Sequence, residues 1–270
     1  MIKLIVIYLL SLSHARRYLV IWLFRASIIV DFCKLKTIVI KHSSVKDLYT
    51  LIDVFHRDVY KFRSPTLRLR AFLLYSELLK LGKFPLILDL GANIGSYSIR
   101  CASDYPNAKV VAVEPEKQNY DILSKNLKRP NIRKVNAAVG YGSKELTLSV
   151  NSREGYAHSV EETQLNFEEH RQKILGITIN DLVDAEAQNV PFILKIDIEG
   201  SEGNLFEKDI DIISKFPIII VELHDWMFRD IVSTPIMKFI CDVGARVVLS
   251  HDLLVIVQDG LLASETSNNV

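Results

Sequence analysis

The sequence predicts an α/β fold built on a mostly parallel sheet, and three observations predict it. First, from Phe84 onward short runs rich in Ile, Val and Leu recur: Leu86–Leu90, Val110–Val113, Ile132–Val139, Phe192–Ile198 and Ile218–Leu223. Second, helical patterns separate them, near Ser96–Ser103, Lys117–Leu127, Ser201–Phe206 and Thr234–Val243. Continuous apolar strands joined by helices form parallel sheets covered on both faces. Third, the segment after Gly244, ARVVLSHDLLVIVQ, reads as two strands around Ser250-His251-Asp252. That is a hairpin, and it adds an antiparallel C-terminal edge to the sheet.

The N-terminal part reads as a helical extension over residues 1–80, ahead of a main domain over 81–262 and a flexible tail over 263–270. Two apolar runs, Leu4–Leu10 and Tyr18–Phe24, lie among Lys3, Arg16, Arg17 and Arg25 with no acid before Asp31. Neither run reaches the roughly 20 residues of a spanning helix. They read as a pair of helices packed on the main domain; a basic, apolar segment at residues 1–30 is also suited to an anionic membrane surface. Leu35–His42 is β-branched enough for a strand, and Ser43-Ser44 can cap a helix over Val45–Phe55. Pro65 after Ser64 opens a helix with apolar residues at Leu67, Leu69, Phe72, Leu73, Leu74, Leu78 and Leu79, and Gly82 ends it. The polar stretch Asn151–Lys173, too long for an ordinary connection, reads as a lid or substrate wall, where His158 and His170 sit.

Composition excludes some classes. The chain has 270 residues, with 33 basic and 32 acidic side chains, so nothing favours nucleic acid or another polyanion. Cys33, Cys101 and Cys241 form no C-x-x-C pair, which gives neither a zinc site nor a disulfide framework and fits a cytoplasmic, reducing compartment with buried thiols.

The first strand of the main domain ends in LILDLGANIGSYSI. Ligands of doubly wound sheets bind beyond the carboxyl ends of strands, and the glycines Gly91 and Gly95 let backbone approach a ligand there. A dinucleotide site wants G-x-G-x-x-G around a pyrophosphate. This chain has Gly-Ala-Asn-Ile-Gly instead, and Asp89 stands two residues ahead of the first glycine. A carboxylate repels pyrophosphate and suits a cation, so the pattern favours S-adenosylmethionine, which carries an ammonium and a sulfonium, over NAD. Glu114, 25 residues after Asp89 and at the end of the second strand, is placed to accept hydrogen bonds from ribose hydroxyls.

The segments ILDLGANIGSYSI, VVAVEPEKQNYDILSKNL, NAAVG, ILKIDIEGSEGNLFE and IIIVELH resemble the FkbM family of S-adenosylmethionine-dependent methyltransferases over about residues 85–224. KIDIEGSE is the more specific match, since the first segment is common to most class I methyltransferases. The resemblance implies a seven-stranded Rossmann-like sheet and methyl transfer, commonly to a hydroxyl of a sugar, glycolipid or secondary metabolite. It places Asp89, Gly91, Asn93 and Gly95 at the methionine end of the cofactor, Glu114 at the ribose, and Asn136 and Ala137 near the adenine. For Asn136 a turn-forming role is equally open.

Methyl transfer to oxygen needs an aligned nucleophile and a group that takes its proton. Asp197 and Glu199 near the end of the fourth strand, and Glu222 and His224 at the end of the fifth, put four proton-handling groups on two adjacent strands. Asp197 or His224 reads as the base, and Glu199 as a residue that orients substrate or base. The same four side chains are of metal-ligating type, but no H-x-x-x-H or cysteine spacing accompanies them and the resemblance requires no metal, so no metal is expected. The acceptor is expected to be a small molecule or glycan. An NAD-linked oxidoreductase and a non-catalytic cofactor-binding module are the alternatives.

Overall fold

The computed structural model describes residues 18–23, 26–31, 36–62, 64–140, 145–151, 158–159, 169–199, 201–224, 233–250 and 253–263. The chain opens with strands β1 (Tyr18–Leu23), β2 (Ala26–Asp31) and β3 (Lys36–Lys41), which pair as an antiparallel three-stranded sheet in sequence order. This corrects the expectation of a helix at the second apolar run, Tyr18–Phe24, while the first, Leu4–Leu10, lies outside the described residues. Along β2 burial alternates, with Ser27 and Ile29 inside and their neighbours half-buried, and that period of two is a strand's. β-branched and aromatic residues fill these runs, and they pack better on a pleated surface than around a helix.

Helix α1 (Val45–Leu51) follows. Ser44 caps it: its hydroxyl accepts from the Asp47 amide while the Asp47 carboxylate accepts from the Ser44 amide. The helix runs on into a π-helical turn (Ile52–Arg57) that ends on Asp58 in the left-handed region, φ 59°. In α2 (Pro65–Lys80), Ser64 supplies the cap and Pro65 the first helical position. Gly82 (φ 70°) ends it: the Lys83 amide donates to the Leu78 carbonyl at 2.9 Å and the Gly82 amide to Leu79 at 3.1 Å.

The main domain alternates strands and helices as expected: β4 (Phe84–Leu90), α3 (Ser96–Asp104), β5 (Lys109–Val113), α4 (Lys117–Asn126) and β6 (Ile132–Val135). A second sheet interrupts it. Strands β7 (Ala138–Val139), β8 (Glu145–Asn151), β9 (His158–Ser159) and β10 (Glu169–Ile177) pair in the order β7-β10-β8-β9. The expected polar insertion therefore contains strands, with β10 antiparallel to β8 from Glu169 opposite Asn151 onward. The side chains of His158 and His170 lie outside the described ones. After β10 come α5 (Ile179–Asp184), β11 (Asn189–Ile196), α6 (Glu202–Lys208), α7 (Ile210–Ile213), β12 (Ile218–Glu222), α8 (Ser233–Asp242), β13 (Arg246–Ser250), β14 (Leu253–Val257) and α9 (Asp259–Ala263).

The large sheet has seven strands in the order β6-β5-β4-β11-β12-β14-β13. Only β14 runs against its neighbours, inserted between β12 and β13. With the sheet's strands counted along the chain the order is 3-2-1-4-5-7-6, that of class I methyltransferases, as the sequence led one to expect. It reverses between β4 and β11, and a doubly wound sheet holds its ligand at such a switch point.

The sheet has a core on each face. One contains Leu86, Leu88 and Leu90 of β4 packed with Ile179, Leu205, Phe206, Ile213, Ile236 and Phe239 of α5 to α8. On the other, Ile87, Val110, Ala112, Ile193 and Ile220 meet Leu123 of α4 and Ala102 of α3. Residues ahead of Phe84 complete this second core: Ile29, Ile40, Leu51, Val54, Phe55, Leu67, Ala71, Leu74 and Leu78 belong to the same cluster. The supposed extension is thus one cover of the sheet, and the boundary expected near residue 80 divides a continuous core. Of the expected tail, Ala263 ends α9, and 264–270 lie outside the described residues. Cys101 is buried as read, whereas Cys241 is exposed. No helix among the described residues is long and apolar enough to cross a membrane.

Leu67, fully buried on α2, tests this shared core. Leu67→Ala is expected to destabilise the whole domain by about 2–5 kcal/mol, seen as a lower midpoint of one cooperative thermal transition. A main transition left unmoved would show that residues 36–80 form a separate unit.

Candidate active site

Alternation along β4 sends Ile87 and Asp89 to the same face, and along β11 it sends Ile193 and Lys195 there too. Register makes Asp89 and Lys195 direct neighbours on adjacent parallel strands. Both are buried, Asp89 at 0% and Lys195 at 3% exposure. Lys195 Nζ lies 3.3 Å from Asp89 Oδ1, 3.1 Å from Asp197 Oδ2 and 3.0 Å from the Gly91 carbonyl, to which it donates. The other oxygen of Asp89 accepts from the Ser98 hydroxyl of α3 at 2.6 Å. Burial by itself would pull the Lys195 pKa down; the carboxylates of Asp197 and Asp89 outweigh it and hold the ammonium well above the ordinary lysine range. Two rings cover this charge, Tyr60 with its centroid 5.7 Å from Nζ and Tyr97 at 5.9 Å, themselves 4.7 Å apart.

The loop after β4 is shaped by what presses on it. Gly91 has φ 78°, and a Cβ there would lie 1.7 Å from the Asp197 carbonyl oxygen. Its first role is therefore to let the tips of β4 and β11 touch, and only glycine permits it. Gly95 (φ 88°) stands against Leu127, which a Cβ would meet at 3.0 Å, and α3 begins at the next residue. Asn93 holds a left-handed backbone (φ 49°) with its amide donating to Glu114 Oε2 at 2.8 Å. Its side-chain Oδ1 is a buried acceptor with no hydrogen-bond donor among the described residues. Asn126 pins the same loop from outside, donating to the Ile94 carbonyl at 2.9 Å while it exchanges hydrogen bonds with the Lys41 backbone of β3.

Glu114 ends β5 almost wholly buried, at 4% exposure. Burial pushes its carboxyl up to about 7, against the amides of Glu116 and Asn93, which favour the anion. Asn136 spends both amide protons on the Glu114 and Pro115 carbonyls, at 2.8 and 3.0 Å, so its donors tie β6 to β5. Ala137 is buried in the sheet core.

The expected proton-handling groups do gather. Strand β11 stops at Ile196, and Glu199 sits in a turn with φ 57°. That turn, rather than strand alternation, brings Glu199 beside Asp197. From the end of β12, His224 Nε2 lies 3.9 Å from Asp197 Oδ1 and 3.6 Å from Glu199 Oε2. Its Nδ1 meets Glu202 Oε1 of α6 at 2.8 Å, and that oxygen also accepts from the Ile198 amide. Desolvation pulls the imidazole down, but Glu202, Glu199 and Asp197 together hold its pKa up at about 9. A value near 9 favours the imidazolium, a donor, at neutral pH, and Asp197, the other base that the sequence offers, stands beside it. Glu222, pushed up to about 7 by burial and by Asp197, completes the corner. Among the described residues, Asp197, Glu199 and His224 are a group whose ligand atoms lie within 4.8 Å of one another.

A family model described as the methyltransferase FkbM domain matches residues 89–247, more than half of the chain. The chain belongs to the FkbM methyltransferase family. The matched FkbM segment begins at Asp89 and ends in β13. Among curated proteins, methyltransferase sdnD of Sordaria araneosa is 51% identical over 43 residues, 16% of this chain and 17% of sdnD. Hexuronic acid methyltransferase AglP of Haloferax volcanii is 25% identical over 136 residues, 50% of this chain and 54% of AglP. The matches thus span about half of AglP's length or less. Solved structures with a similar fold include an O-methyltransferase from Bacillus cereus in complex with SAH (14% identity, TM-score 0.36, covering 80% of this chain and 92% of that one). Another is the precorrin-6y C5,15-methyltransferase from Geobacter metallireducens (15%, TM-score 0.36, covering 69% and 84%).

Within the FkbM segment, sequence reasoning passed over Lys195 and Glu202. Both lie in the quoted KIDIEGSE, and a lysine inside an apolar strand needs a buried counter-ion. Tyr60, outside the matched segment, carried no signal.

The raised His224 pKa makes a stability prediction. The unfolded value is near 6.5 and the folded one about 9, so this contribution is complete below pH 6.5 and is lost as pH rises through 9. Wild-type protein is expected to lose on the order of 2–3 kcal/mol from this group across that window, and His224→Gln to show a flatter melting temperature between pH 6.5 and 9. Parallel slopes for the two proteins would contradict the assignment.

Proposed function

We propose that the chain is an S-adenosylmethionine-dependent O-methyltransferase acting on a hydroxyl of a sugar or sugar-bearing small molecule. The observation that carries the reading is the junction of two half-sites at the switch point: the Asn93–Glu114 cradle beside β4 and β5, and the Asp197–Glu199–His224 corner at β11 and β12. AglP, named for a hexuronic acid, supports a sugar as the acceptor class.

The residues fit the cofactor. Asn93 Oδ1 is a buried acceptor awaiting a donor, which an ammonium supplies. Glu114 has further lone pairs for ribose hydroxyls beyond the two amides it holds. Helix α3 starts directly after this loop with no side-chain cap, and the first amides of a helix have no intrahelical acceptor. Asp89 reaches neither directly: it acts through Lys195 and Ser98, which fix the loop. Gly91 and Gly95 shape it, and Asn136 acts by tying the end of β6 to Glu114 and Pro115, with Ala137 packed in the core beside it.

Bound cofactor supplies a methyl group on a positively charged sulfur, ready for in-line displacement. The protein aligns the acceptor oxygen and disposes of its proton. His224, as imidazolium, donates toward the acceptor's side of the corner, and its orientation is set by Glu202. A carboxylate of the corner takes the hydroxyl proton; Asp197 is held in place for this by Lys195, and Glu199 orients the acceptor. Alignment supplies about 7–11 kcal/mol of the barrier, and the base a further factor of about 10²–10⁴.

Calorimetry with S-adenosylmethionine and with NAD, followed by labelled-methyl transfer to hexuronic acids and other sugars, tests the reading. Tight binding of the first is expected, weakened about tenfold or more by Glu114→Ala. Asp197→Asn is expected to lower kcat by about 10²–10⁴ with a smaller change in cofactor affinity. Binding of NAD in preference to S-adenosylmethionine, or full turnover by Asp197→Asn, would overturn it.

A further inference from the structure

We propose that Asp197 Oδ1, Glu199 Oε2 and His224 Nε2 form a binding site for one divalent cation of the Mn²⁺ type. This deepens the reading above and rests on it for what the cation does, though not for whether the cation binds. The three donor atoms come from two strand ends, lie within 4.8 Å of one another, and are separated by 3.9 and 3.6 Å from His224 Nε2 to the two carboxylates. Two donors each about 2.1–2.6 Å from one cation stand about 3–5 Å apart, according to the angle between them. The existing spacings already match that, so no backbone movement is needed.

Two independent features separate this corner from an ordinary patch of acids. The imidazole is buried, with 6% side-chain exposure, and the fully buried Glu202 holds Nδ1 at 2.8 Å, so that Nε2 faces the two carboxylates. A carboxylate behind a histidine, fixing which nitrogen points inward, is the outer shell that metal-bound histidines have. Charge is the other feature. Asp89, Asp197, Glu199, Glu202 and Glu222 surround one ammonium, Lys195, and one imidazole. Binding displaces the proton that His224 carries in the metal-free corner, since a ligating imidazole is neutral. Five acids then face one ammonium, an excess of up to four that burial makes costly, and a divalent ion offsets half of it. One nitrogen and two carboxylate oxygens suit a cation of intermediate hardness such as Mn²⁺, with open positions left for oxygens of the acceptor. There the ion would hold the acceptor hydroxyl and make it more acidic.

The test uses full-length protein stripped with EDTA and titrated with Mn²⁺ alone, followed by electron paramagnetic resonance of the free ion, without cofactor or acceptor. Wild type is expected to take up one Mn²⁺ per chain, and Glu199→Gln, which keeps the shape of the side chain, to bind at least tenfold more weakly while melting as wild type does in EDTA. Asp181→Asn, a carboxylate on the surface helix α5, serves as the control and is expected to bind as wild type does. No uptake by wild type, or equal uptake by Glu199→Gln, overturns the site. Methyl transfer measured in EDTA separates the two readings: a chain that transfers methyl groups yet takes up no Mn²⁺ retains the activity and loses the cation site, and one that takes up Mn²⁺ but does not bind S-adenosylmethionine does the reverse.

Discussion

A single buried ammonium holds the working end of this molecule together. Lys195 sits in the middle of the sheet, between the first and fourth strands of the parallel array, where an unpaired charge would cost several kcal/mol. Its three oxygen partners make that placement tolerable, and each belongs to a different part of the site. Asp89 ends the first strand, the Gly91 carbonyl opens the loop proposed to hold cofactor, and Asp197 begins the corner proposed for proton transfer. One side chain therefore sets the distance between the loop that would hold cofactor and the acid that would take a proton. The Gly91 backbone packed onto the Asp197 carbonyl fixes the same distance by steric contact. Electrostatic and steric constraints thus coincide at the switch point of the sheet.

The N-terminal residues enter through this same centre. Tyr60 and Tyr97 lay their rings over Lys195, and Tyr60 comes from the segment that covers the sheet before the matched family domain begins. The Asn126 clamp between β3 and the Ile94 carbonyl is a second link from that segment to the cofactor loop. Covering the sheet and supporting the proposed site are therefore linked tasks for residues 36–62. They complete one apolar face and also exclude water from the buried charges, which strengthens every electrostatic contact there.

Much of the fold was legible because parallel strands buried on both faces announce themselves as unbroken apolar runs. The hairpin after Gly244 and the caps at Ser44 and Ser64 were legible for equally local reasons. Residues 18–31 carry a weaker local signal, because basic charges flanking short apolar runs fit a membrane-facing helix as well as a strand, and the period of two spans only a few residues. In the second sheet, β9 and the start of β10 (Glu169 to Lys173) were hidden by polar composition, since a two-sided polar strand carries little hydrophobic signal, whereas β8 alternates Leu146, Leu148 and Val150 with polar residues. At the site, the residue types at the strand tips could be read, but their partners could not. That Asp89 answers Lys195 depends on register between strands more than 100 residues apart. That His224 is an imidazolium depends on Glu202, whose approach is set by the packing of α6.

The most direct test of this account is a double-mutant cycle on stability and cofactor affinity with Lys195→Met, Asp89→Asn and the pair. The single Lys195→Met change strands two carboxylates and is expected to cost about 3–5 kcal/mol, with a loss of S-adenosylmethionine binding. Adding Asp89→Asn is expected to return part of both, giving a coupling of about 1 kcal/mol or more. Strictly additive effects, or a Lys195→Met protein as stable and as tight-binding as wild type, would contradict the claim that this ammonium ties the two halves of the site together.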